Sequence, residues 1–450
     1  MANRRDRRRA LGADTTVETR NAICLVVDGW QAGFAGPYGN SWISTPALNQ
    51  LASEGFVFDQ ALVDSPRLDR LYRSFWRGVH AALPSERLPD GAGLASQLSR
   101  GGVATTLVTD EPRVAEHPLA AEFRETVTLN PPPPAQAAAD IEDTRLAEFS
   151  AQMLDVLDEA REPFLLWGHT SSLANCWDAP REFRERYLER DAAAEEDIEH
   201  LRAEAAALAR IGVAPPRAHV TSMPDPDELL ALRRAYAAQI SVLDACLAGL
   251  LDAVLLSPWA ERTLLFVCGA RGYPLGEHGR AGFELPVEQD ASVGDALYAE
   301  LVHVPWIWRL PGAEGALGRS AALVQPADCC ATLLDWWRLA RDGMSNAELG
   351  VASGRSVLPL VREEAIAWRD RALVVLDQQR ALRTAAWYRL SEGELYVKPD
   401  DRWERNEIAV RCEEIAEAMD QAADDYQRAI ESGEPRELAP LSAQLQAGVS

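Results

Sequence analysis

The chain has 450 residues, of which 47% are apolar, and its excess of acidic residues gives a net charge of −24 and a pI near 4.8. A chain of this length and apolar content can bury a large core, so we expect one large domain and a smaller one. The negative charge would repel nucleic acid and acidic membrane surfaces, and it argues against both as partners.

Cysteine usage and the N-terminus indicate a cellular location. The seven cysteines, at positions 24, 176, 246, 268, 329, 330 and 412, lie mostly in apolar runs and show no C-x-x-C spacing, which is typical of reduced core residues. Residues 1–20 are rich in arginine and predict a disordered basic arm, since no apolar segment follows them. The chain has no run of about eighteen apolar residues. We therefore expect a cytoplasmic protein.

Residues 21–29, NAICLVVDG, form the first ordered segment of the chain. The uncharged, β-branched run at 23–27 predicts a strand that is buried on both faces. Asp28 follows at the strand end, where open α/β sheets bind their ligands, so it is a candidate metal ligand or base. Asp-Gly is also common turn chemistry, and this second interpretation stays open.

The next stretches alternate between helical and strand patterns. TPALNQLASE at 45–54 predicts a helix with Thr45 as its cap and Pro46 in its first turn, and FVFDQALV at 56–63 predicts a second strand. SPRLDRLYRSFWRG at 65–78 predicts a loop that leads into a helix. Residues 181–212 predict a charged helical insertion, suited to a solvated helix or a pairing surface, and residues 232–254 predict a long core helix.

Taken in this order, the stretches resemble the type I sulfatases of the alkaline phosphatase superfamily. Those proteins typically begin with an apolar strand ending in Asp-Asp, continue through a YGN-like turn and a TPNLD-LA-EG helix, and reach a Cys-x-Pro-x-Arg motif before a helix that ends in Gly. This chain has Tyr38-Gly39-Asn40, then TPALNQLASEG, then SPRLDRLYRSFWRG. The resemblance continues through EPFLLWGHTSSLANCWDAP at 162–180 and TLLFVCGARGYPLGEHG at 263–279 to ELYVKPDDRWERNEIA near the C-terminus.

The resemblance implies an α/β fold of the alkaline-phosphatase/sulfatase type, with a mixed, mainly parallel central sheet flanked by helices and a smaller C-terminal α+β domain. The expected divisions are a disordered basic arm at 1–20, a sulfatase-like domain at 21–364 with the helical insertion at about 181–212, a C-terminal subdomain at 365–435 and a flexible tail at 436–450.

The resemblance also implies where the family's chemistry would lie. Sulfatases hold a calcium ion through several oxygen ligands and use a formylglycine made from cysteine or serine as the nucleophile. The matching, vestigial-site positions are Asp28, Gly29, Leu68, Tyr72, Ala270, Arg271, Glu277 and His278. Asp28 keeps the first metal carboxylate, but Gly29 and Ala270 replace two others, and Leu68 stands at the nucleophile. A leucine cannot become an aldehyde hydrate, and one carboxylate cannot bind calcium with useful affinity.

Two further positions depart from the family pattern, and one histidine needs an interpretation. A substrate-side histidine of the family falls on Ala174, and a lysine falls near Phe283. His169 follows Trp167-Gly168 at a strand end and faces the same crevice, where a structural role is the first interpretation. Arg271 would either pair with Asp28 and so replace the metal ion by an internal ion pair, or point to solvent from a turn.

We therefore expect a catalytically inactive pseudo-sulfatase with a binding or assembly role, no catalytic residue, and no metal or other cofactor. The alternative is an active sulfuric-ester or phosphoric-ester hydrolase that uses an atypical site in the same cleft and requires calcium. The expected partners are an unknown protein or a small anionic ligand, and the chain could form a homo-oligomer or a hetero-oligomer with an active sulfatase.

Overall fold

The computed structural model describes residues 19–88, 91–188, 195–216, 226–282, 297–339, 353–364, 366–391, 393–434 and 438–447. The predicted basic arm therefore lies outside the described residues, apart from positions 19 and 20. Phe283, where the resemblance placed a lysine, lies outside them too.

Two sheets organise the described chain. The strands are β1 (Asn21–Asp28), β2 (Phe56–Ala61), β3 (Ala104–Thr109), β4 (Glu125–Thr128), β5 (Phe164–Thr170), β6 (Thr263–Arg271), β7 (Trp306–Arg309), β8 (Gly318–Val324), β9 (Arg371–Leu376), β10 (Gln379–Thr384), β11 (Trp387–Leu390) and β12 (Leu395–Val397). The eight-stranded sheet has the order β4-β3-β5-β1-β6-β7-β2-β8, and the four-stranded sheet has the order β12-β11-β10-β9. In the larger sheet only β7 runs against its neighbours, so the predicted mixed, mainly parallel sheet is confirmed.

Strand β1 occupies the centre of the larger sheet, between β5 and β6. All eight of its residues are buried, as the uncharged sequence predicts for a strand covered on both faces. Cys24 and Val26 pack into the core on one face, whereas Ile23, Leu25 and Val27 pack into the core on the other. This double burial fixes the register of β1 and thereby the position of Asp28 at its end.

Helices cover both faces of this sheet. They are α1 (Pro46–Glu54), α2 (Leu68–Arg77), α3 (Leu94–Arg100), α4 (Pro112–Ala115), α5 (Arg145–Glu159), α6 (Ser172–Asn175), α7 (Arg181–Glu185), α8 (Glu195–Arg210), α9 (Pro226–Leu256), α10 (Ala299–Val302), α11 (Pro326–Trp336), α12 (Leu358–Val361), α13 (Glu413–Ser432) and α14 (Ala443–Ala447). By length and composition alone α9 could span a membrane, but it packs against α1, α5 and α8. Its burial within the fold accounts for its apolar sequence.

The start of α1 differs from the sequence prediction. Thr45 precedes the helix, but its side chain makes no capping hydrogen bond. The carboxylate of Asp244 on α9 accepts instead from the backbone N–H groups of Ala47 and Leu48, at 3.2 and 2.8 Å. A buried carboxylate satisfies two N–H groups at once and favours the positive end of the helix, so it replaces the local cap.

The charged insertion at 181–212 is a packed element where the structure describes it. Helix α8 lies against α9, and its Ala207 and Leu208 are buried. Glu204 on α8 pairs with Arg234 on α9 at 2.8 Å, with both side chains 4% exposed. Of the two interpretations that the sequence allowed, a pairing surface fits these residues, and its partner is the core helix of the same chain.

The smaller sheet forms the C-terminal domain with α13. Leu373, Trp387 and Met419 belong to its own hydrophobic core. Residues 438–447, which we expected to form part of a flexible tail, pack against this sheet: Leu445 is buried, and its carbonyl accepts from the Thr384 hydroxyl at 2.7 Å. The Trp387 indole donates to the Gln444 carbonyl at 3.0 Å. These contacts hold the segment because they satisfy buried polar groups of the sheet.

Candidate functional site

The candidate site lies at the carboxyl edge of the parallel strands. Asp28 ends β1, Arg271 ends β6, and a register shift after Val27 places the two directly opposite each other. The carboxyl ends of β3 and β5 meet the same edge, because both run parallel to β1. Ligands bind at this edge in open α/β sheets.

Asp28 and Arg271 form a buried, bidentate ion pair. Arg271 Nε donates to Asp28 Oδ1 at 2.8 Å, and Arg271 Nη2 donates to Asp28 Oδ2 at 2.9 Å. The Asp28 side chain is fully buried and that of Arg271 is 5% exposed. Arg271 Nη1 also donates to the carbonyl of Pro66 at 2.9 Å. The guanidinium thus joins β1, β6 and the loop that precedes α2, in the geometry that makes arginine–carboxylate pairs strong.

The residues at this place do not fit a calcium ion. Both oxygens of Asp28 already accept from a guanidinium, and that positive charge would oppose a dication. Ala270 offers no side-chain ligand, and neither does Gly29. A hard dication takes six to eight oxygens. Among the described residues, no group of three His, Cys, Asp or Glu side chains is arranged to hold a metal ion.

Gly29 is also fixed as a glycine by its surroundings. Its φ is +82°, a conformation that side chains disfavour, and a Cβ there would lie 2.6 Å from the backbone nitrogen of Ala174. The backbone of α6 therefore occupies the space that a second carboxylate side chain would need. An acidic residue at position 29 would require a shift of the main chain.

Leu68 and Tyr72 lie on the first turns of α2 and are both buried, at 3% and 0% exposure. The hydroxyl of Tyr72 lies 2.5 Å from His169 Nδ1 at the end of β5. Tyr72 also packs against Trp76, Trp167 and the ring of His169. At the cysteine and arginine positions of the family's Cys-x-Pro-x-Arg motif, the chain has the apolar Leu68 and the phenol of Tyr72. The phenol is neutral because burial raises the pKa of Tyr72 well above its usual value.

His169 is fully buried beside the ion pair. Burial lowers its pKa to about 4, and the charge of Asp28 only partly opposes this effect. Its Nε2 atom has no hydrogen-bond partner among the residues described. The sequence suggested a satisfied structural histidine, but only one of its two ring nitrogens is satisfied in the described chain.

Asp110, which follows β3, is a site residue that the sequence reasoning missed. Its carboxylate accepts from the Ser171 backbone N–H at 2.6 Å and from the Thr170 hydroxyl at 2.9 Å. Burial raises its pKa to about 6, with these hydrogen bonds acting in the other direction. Its position directly after a strand that ends at the same edge as β1 was the available signal.

Glu277 and His278 take part in a different cluster. Glu277 accepts from the Leu275 N–H at 2.5 Å, and His278 Nδ1 lies 2.7 Å from Glu300 Oε1. His278 also stacks on the ring of Tyr298 at 3.7 Å. Burial lowers the pKa of His278, but the bond to Glu300 and its charge outweigh burial and raise the pKa. His278 thus bonds to α10, whereas Glu277 bonds to its own loop and to Arg233 on α9, and the bonds of neither run to the ion pair.

We expect His169 to make the protein acid-sensitive. Its pKa is about 4 in the folded chain against 6.5 in its ordinary state, so below pH 6.5 the unfolded chain binds more protons and stability falls until about pH 4. At pH 5 this loss is roughly 2 kcal/mol for one histidine. Urea unfolding of the parent and of His169→Gln, each at pH 7.5 and pH 5, measures it.

The comparison with the variant separates His169 from other titrating groups. Burial also raises the pKa of Asp64 to about 6, as it does for Asp110, and these two groups stabilise the fold on acidification. Asp64 and Asp110 are present in both the parent and the variant, so their contributions cancel when the two pH dependences are subtracted. An equal pH dependence of parent and variant would contradict a neutral, buried His169.

A mainly parallel sheet flanked by helices, with its site residues at the carboxyl edge and a small antiparallel C-terminal domain, defines a member of the alkaline phosphatase superfamily. The family model for sulfatases matches residues 20–339. The chain therefore belongs to the sulfatase family, as the resemblance predicted. A search of curated proteins gave no match.

Solved structures of related fold cover nearly the whole chain. The phosphonate monoester hydrolase of Agrobacterium radiobacter is 17% identical, with a TM-score of 0.68 over 92% of this chain and 96% of that one. The phosphonate monoester hydrolase of Silicibacter pomeroyi is 16% identical, with a TM-score of 0.68 over 94% and 98%. A 2-O GAG sulfatase is 17% identical, with a TM-score of 0.65 over 94% of each chain. These likenesses confirm the fold.

Proposed function

We propose that this sulfatase-family protein does not hydrolyse esters at the family's site and acts in binding or assembly. The observation that carries the proposal is the buried, bidentate pair between Asp28 and Arg271. A guanidinium bound to both oxygens of the remaining acid leaves that acid unable to hold a metal ion. The positive charge of Arg271 still compensates the negative charge of Asp28, as a metal ion would. The guanidinium cannot supply the catalytic role of a metal ion.

Two further observations support the proposal. Leu68 has no heteroatom that could attack a sulfur or phosphorus centre, and its side chain is buried at the start of α2. The close approach of Ala174 to Gly29 disfavours a second acid there. The nucleophile is therefore missing because leucine has no heteroatom, and at least one metal ligand is missing because the backbone at Ala174 leaves no space for it.

The second candidate is an active hydrolase with an atypical site. Its support is that solved structures of the same fold are hydrolases by name, and that Asp110 and His169, both with shifted pKa values, lie at the same edge of the sheet. In that case Asp110 would be the candidate general base, since burial holds its pKa near 6. Activity of this kind would require calcium under the family's chemistry.

An assay of ester hydrolysis decides between the two candidates. Purified protein is incubated with an aryl sulfate, a phosphate monoester and a phosphonate ester, each with calcium, manganese or zinc, and we expect no turnover above buffer. Saturable hydrolysis that disappears in both Asp28→Asn and Asp110→Asn would overturn the proposal. Hydrolysis that both variants retain in full indicates a contaminating enzyme and is removed by further purification.

We also propose a reducing compartment, such as the cytoplasm. The support is that all seven cysteines are free, and five of them are buried. In this setting the protein would bind a small anion or a protein partner, as a homo-oligomer or with an active sulfatase. Size measurement by light scattering, alone and with such a sulfatase, tests the assembly part of this role.

A further inference from the structure

A cavity of about 390 Å³ lies between the larger sheet and the C-terminal domain. Its walls come from residues 37–39 between β1 and α1, from the end of β2, and from Ala299 and His303 at the two ends of α10. The C-terminal domain contributes β10, β11 and the segment 398–404 after β12. Strand β7 separates β2 from β6, so the cavity is displaced along the edge of the sheet from the Asp28–Arg271 pair. Neither residue of that pair lines it.

The charged lining of this cavity is mainly basic. Its charged side chains are Arg319, Arg383, Lys398 and Arg402 against Asp59 and Glu404. Four cations and two carboxylates leave an excess of two positive charges, in a chain whose net charge is −24. His303 also lines the cavity, but burial lowers its pKa to about 4, so it is neutral at pH 7.

Arg383 is the strongest reason to expect an anion here. Its side chain is buried, and its guanidinium donates to the carbonyls of Thr384 and Trp387 and to the side-chain oxygen of Gln60. All three acceptors are neutral, and no described carboxylate forms an ion pair with it. Burial lowers its pKa to about 10, which still leaves it charged at neutral pH. The charge of Glu404 opposes this effect of burial, but Glu404 is already paired with Lys398. A buried cation without a counter-ion of its own is costly, and a bound anion would lower that cost.

The other basic residues divide into paired and available groups. Lys398 pairs with Glu404 at 2.8 Å, and Arg319 pairs with Asp59 at 2.8 Å, so these four side chains compensate one another. Arg402 is exposed and donates to the neutral carbonyl of Tyr38 at 2.6 Å. Among the described side chains that line the cavity, Arg383 and Arg402 thus carry the excess charge.

We infer that this cavity binds a small organic dianion, with a phosphate monoester or a pair of carboxylates as its charged group. Two arginines with neutral partners match two negative charges, and guanidinium groups recognise both kinds of oxyanion. The volume falls in the range of small-molecule sites and exceeds what one inorganic ion needs. Pro37 and Pro399 also line the cavity, are not buried, and offer an apolar surface for the remainder of the ligand.

This inference rests on the binding role proposed above, and it names a site and a ligand class for that role. It does not depend on the loss of hydrolysis. An anion titration and an ester-hydrolysis assay can therefore fail separately.

Isothermal titration of the full chain tests the inference. The probes are glucose 6-phosphate, inorganic phosphate and succinate, with uncharged glucose as the matched control, all at about 0.1 M salt so that long-range attraction is screened. We expect one-site binding of glucose 6-phosphate or succinate with a dissociation constant below about 1 mM, and no binding of glucose. The comparison of glucose 6-phosphate with succinate distinguishes a phosphoryl group from carboxylates as the preferred anion.

Two variants and one control locate the binding site. Arg402→Gln and Arg383→Gln are each expected to weaken binding at least about tenfold, which is the value of one charged hydrogen bond. Arg262→Gln changes an exposed arginine next to the start of β6, at the opposite edge of the sheet, and should stay within about twofold.

The outcomes are decisive even if one variant does not fold. Arg402 is exposed, so its variant should retain the parent's circular dichroism and can decide alone if the buried Arg383 variant unfolds. Weaker binding in a folded variant supports the site. Absence of binding by all three anions, or unchanged affinity in every folded variant, overturns it.

Discussion

Replacing Arg271 with alanine is expected to destabilise the protein by roughly 3 to 5 kcal/mol. The change would leave the Asp28 carboxylate fully buried without its two hydrogen bonds, and would leave the Pro66 carbonyl without its 2.9 Å donor. Desolvation of an uncompensated carboxylate dominates this cost. Urea unfolding at pH 7.5, followed by tryptophan fluorescence, measures it.

Two comparisons show whether the unpaired charge is the cause. The double change Asp28→Asn with Arg271→Ala removes both charges. Its loss of unfolding free energy should be smaller than that of Arg271→Ala alone, because the two residues are coupled. Arg262→Ala breaks an exposed pair with Glu162, with side chains 45% and 26% exposed, and should cost at most about 1 kcal/mol. A loss for Arg271→Ala no larger than for Arg262→Ala would contradict the buried pair.

Replacing Asp328 with alanine is expected to have an effect of similar size, roughly 3 to 5 kcal/mol. Asp328 is fully buried in the first turn of α11, and its carboxylate accepts two bonds from Arg369, at 2.6 and 2.5 Å. It also accepts from the backbone N–H groups of Gln325 and Arg355, each at 2.8 Å. The change would leave four donors unsatisfied, among them a buried guanidinium.

The position of this pair predicts a second readout. Arg369 lies just before β9, so its bond to α11 ties the C-terminal domain to the larger one. Limited proteolysis of Asp328→Ala should release C-terminal fragments faster than it does from the parent. Glu314→Ala is the matched control, because Glu314 pairs with Arg362 at the surface, with side chains 40% and 35% exposed. Equal unfolding free energies for the two variants would refute a structural role for Asp328.

Much of the frame around the site could be predicted from sequence because it depends on local pattern. The uncharged run before Asp28 predicts a strand buried on both faces, and β1 is that strand. The family-like strand and turn at 263–279 place Arg271 where the neighbouring strand ends, which is why its pairing with Asp28 could be posed as one of two interpretations. Parallel register then brings the two ends together.

Partners distant in sequence could not be predicted in the same way. Asp244 caps a helix that begins 198 positions earlier in the chain, and no pattern at Thr45 reveals that its own hydroxyl is not used. The bond between Tyr72 and His169 joins a helix to a strand end across 97 residues. Each contact depends on how packed elements face one another, and that arrangement is a property of the whole core.

The docking of residues 438–447 has a consequence for how the chain folds during synthesis. Trp387 and Thr384 find their hydrogen-bond acceptors on Gln444 and Leu445, so the C-terminal sheet is incomplete until that segment has left the ribosome. The larger sheet draws its strands from earlier residues and can assemble first, in the N-to-C order of translation. The C-terminal domain is therefore completed after the larger one, and until then the Trp387 indole and the Thr384 hydroxyl lack these two acceptors.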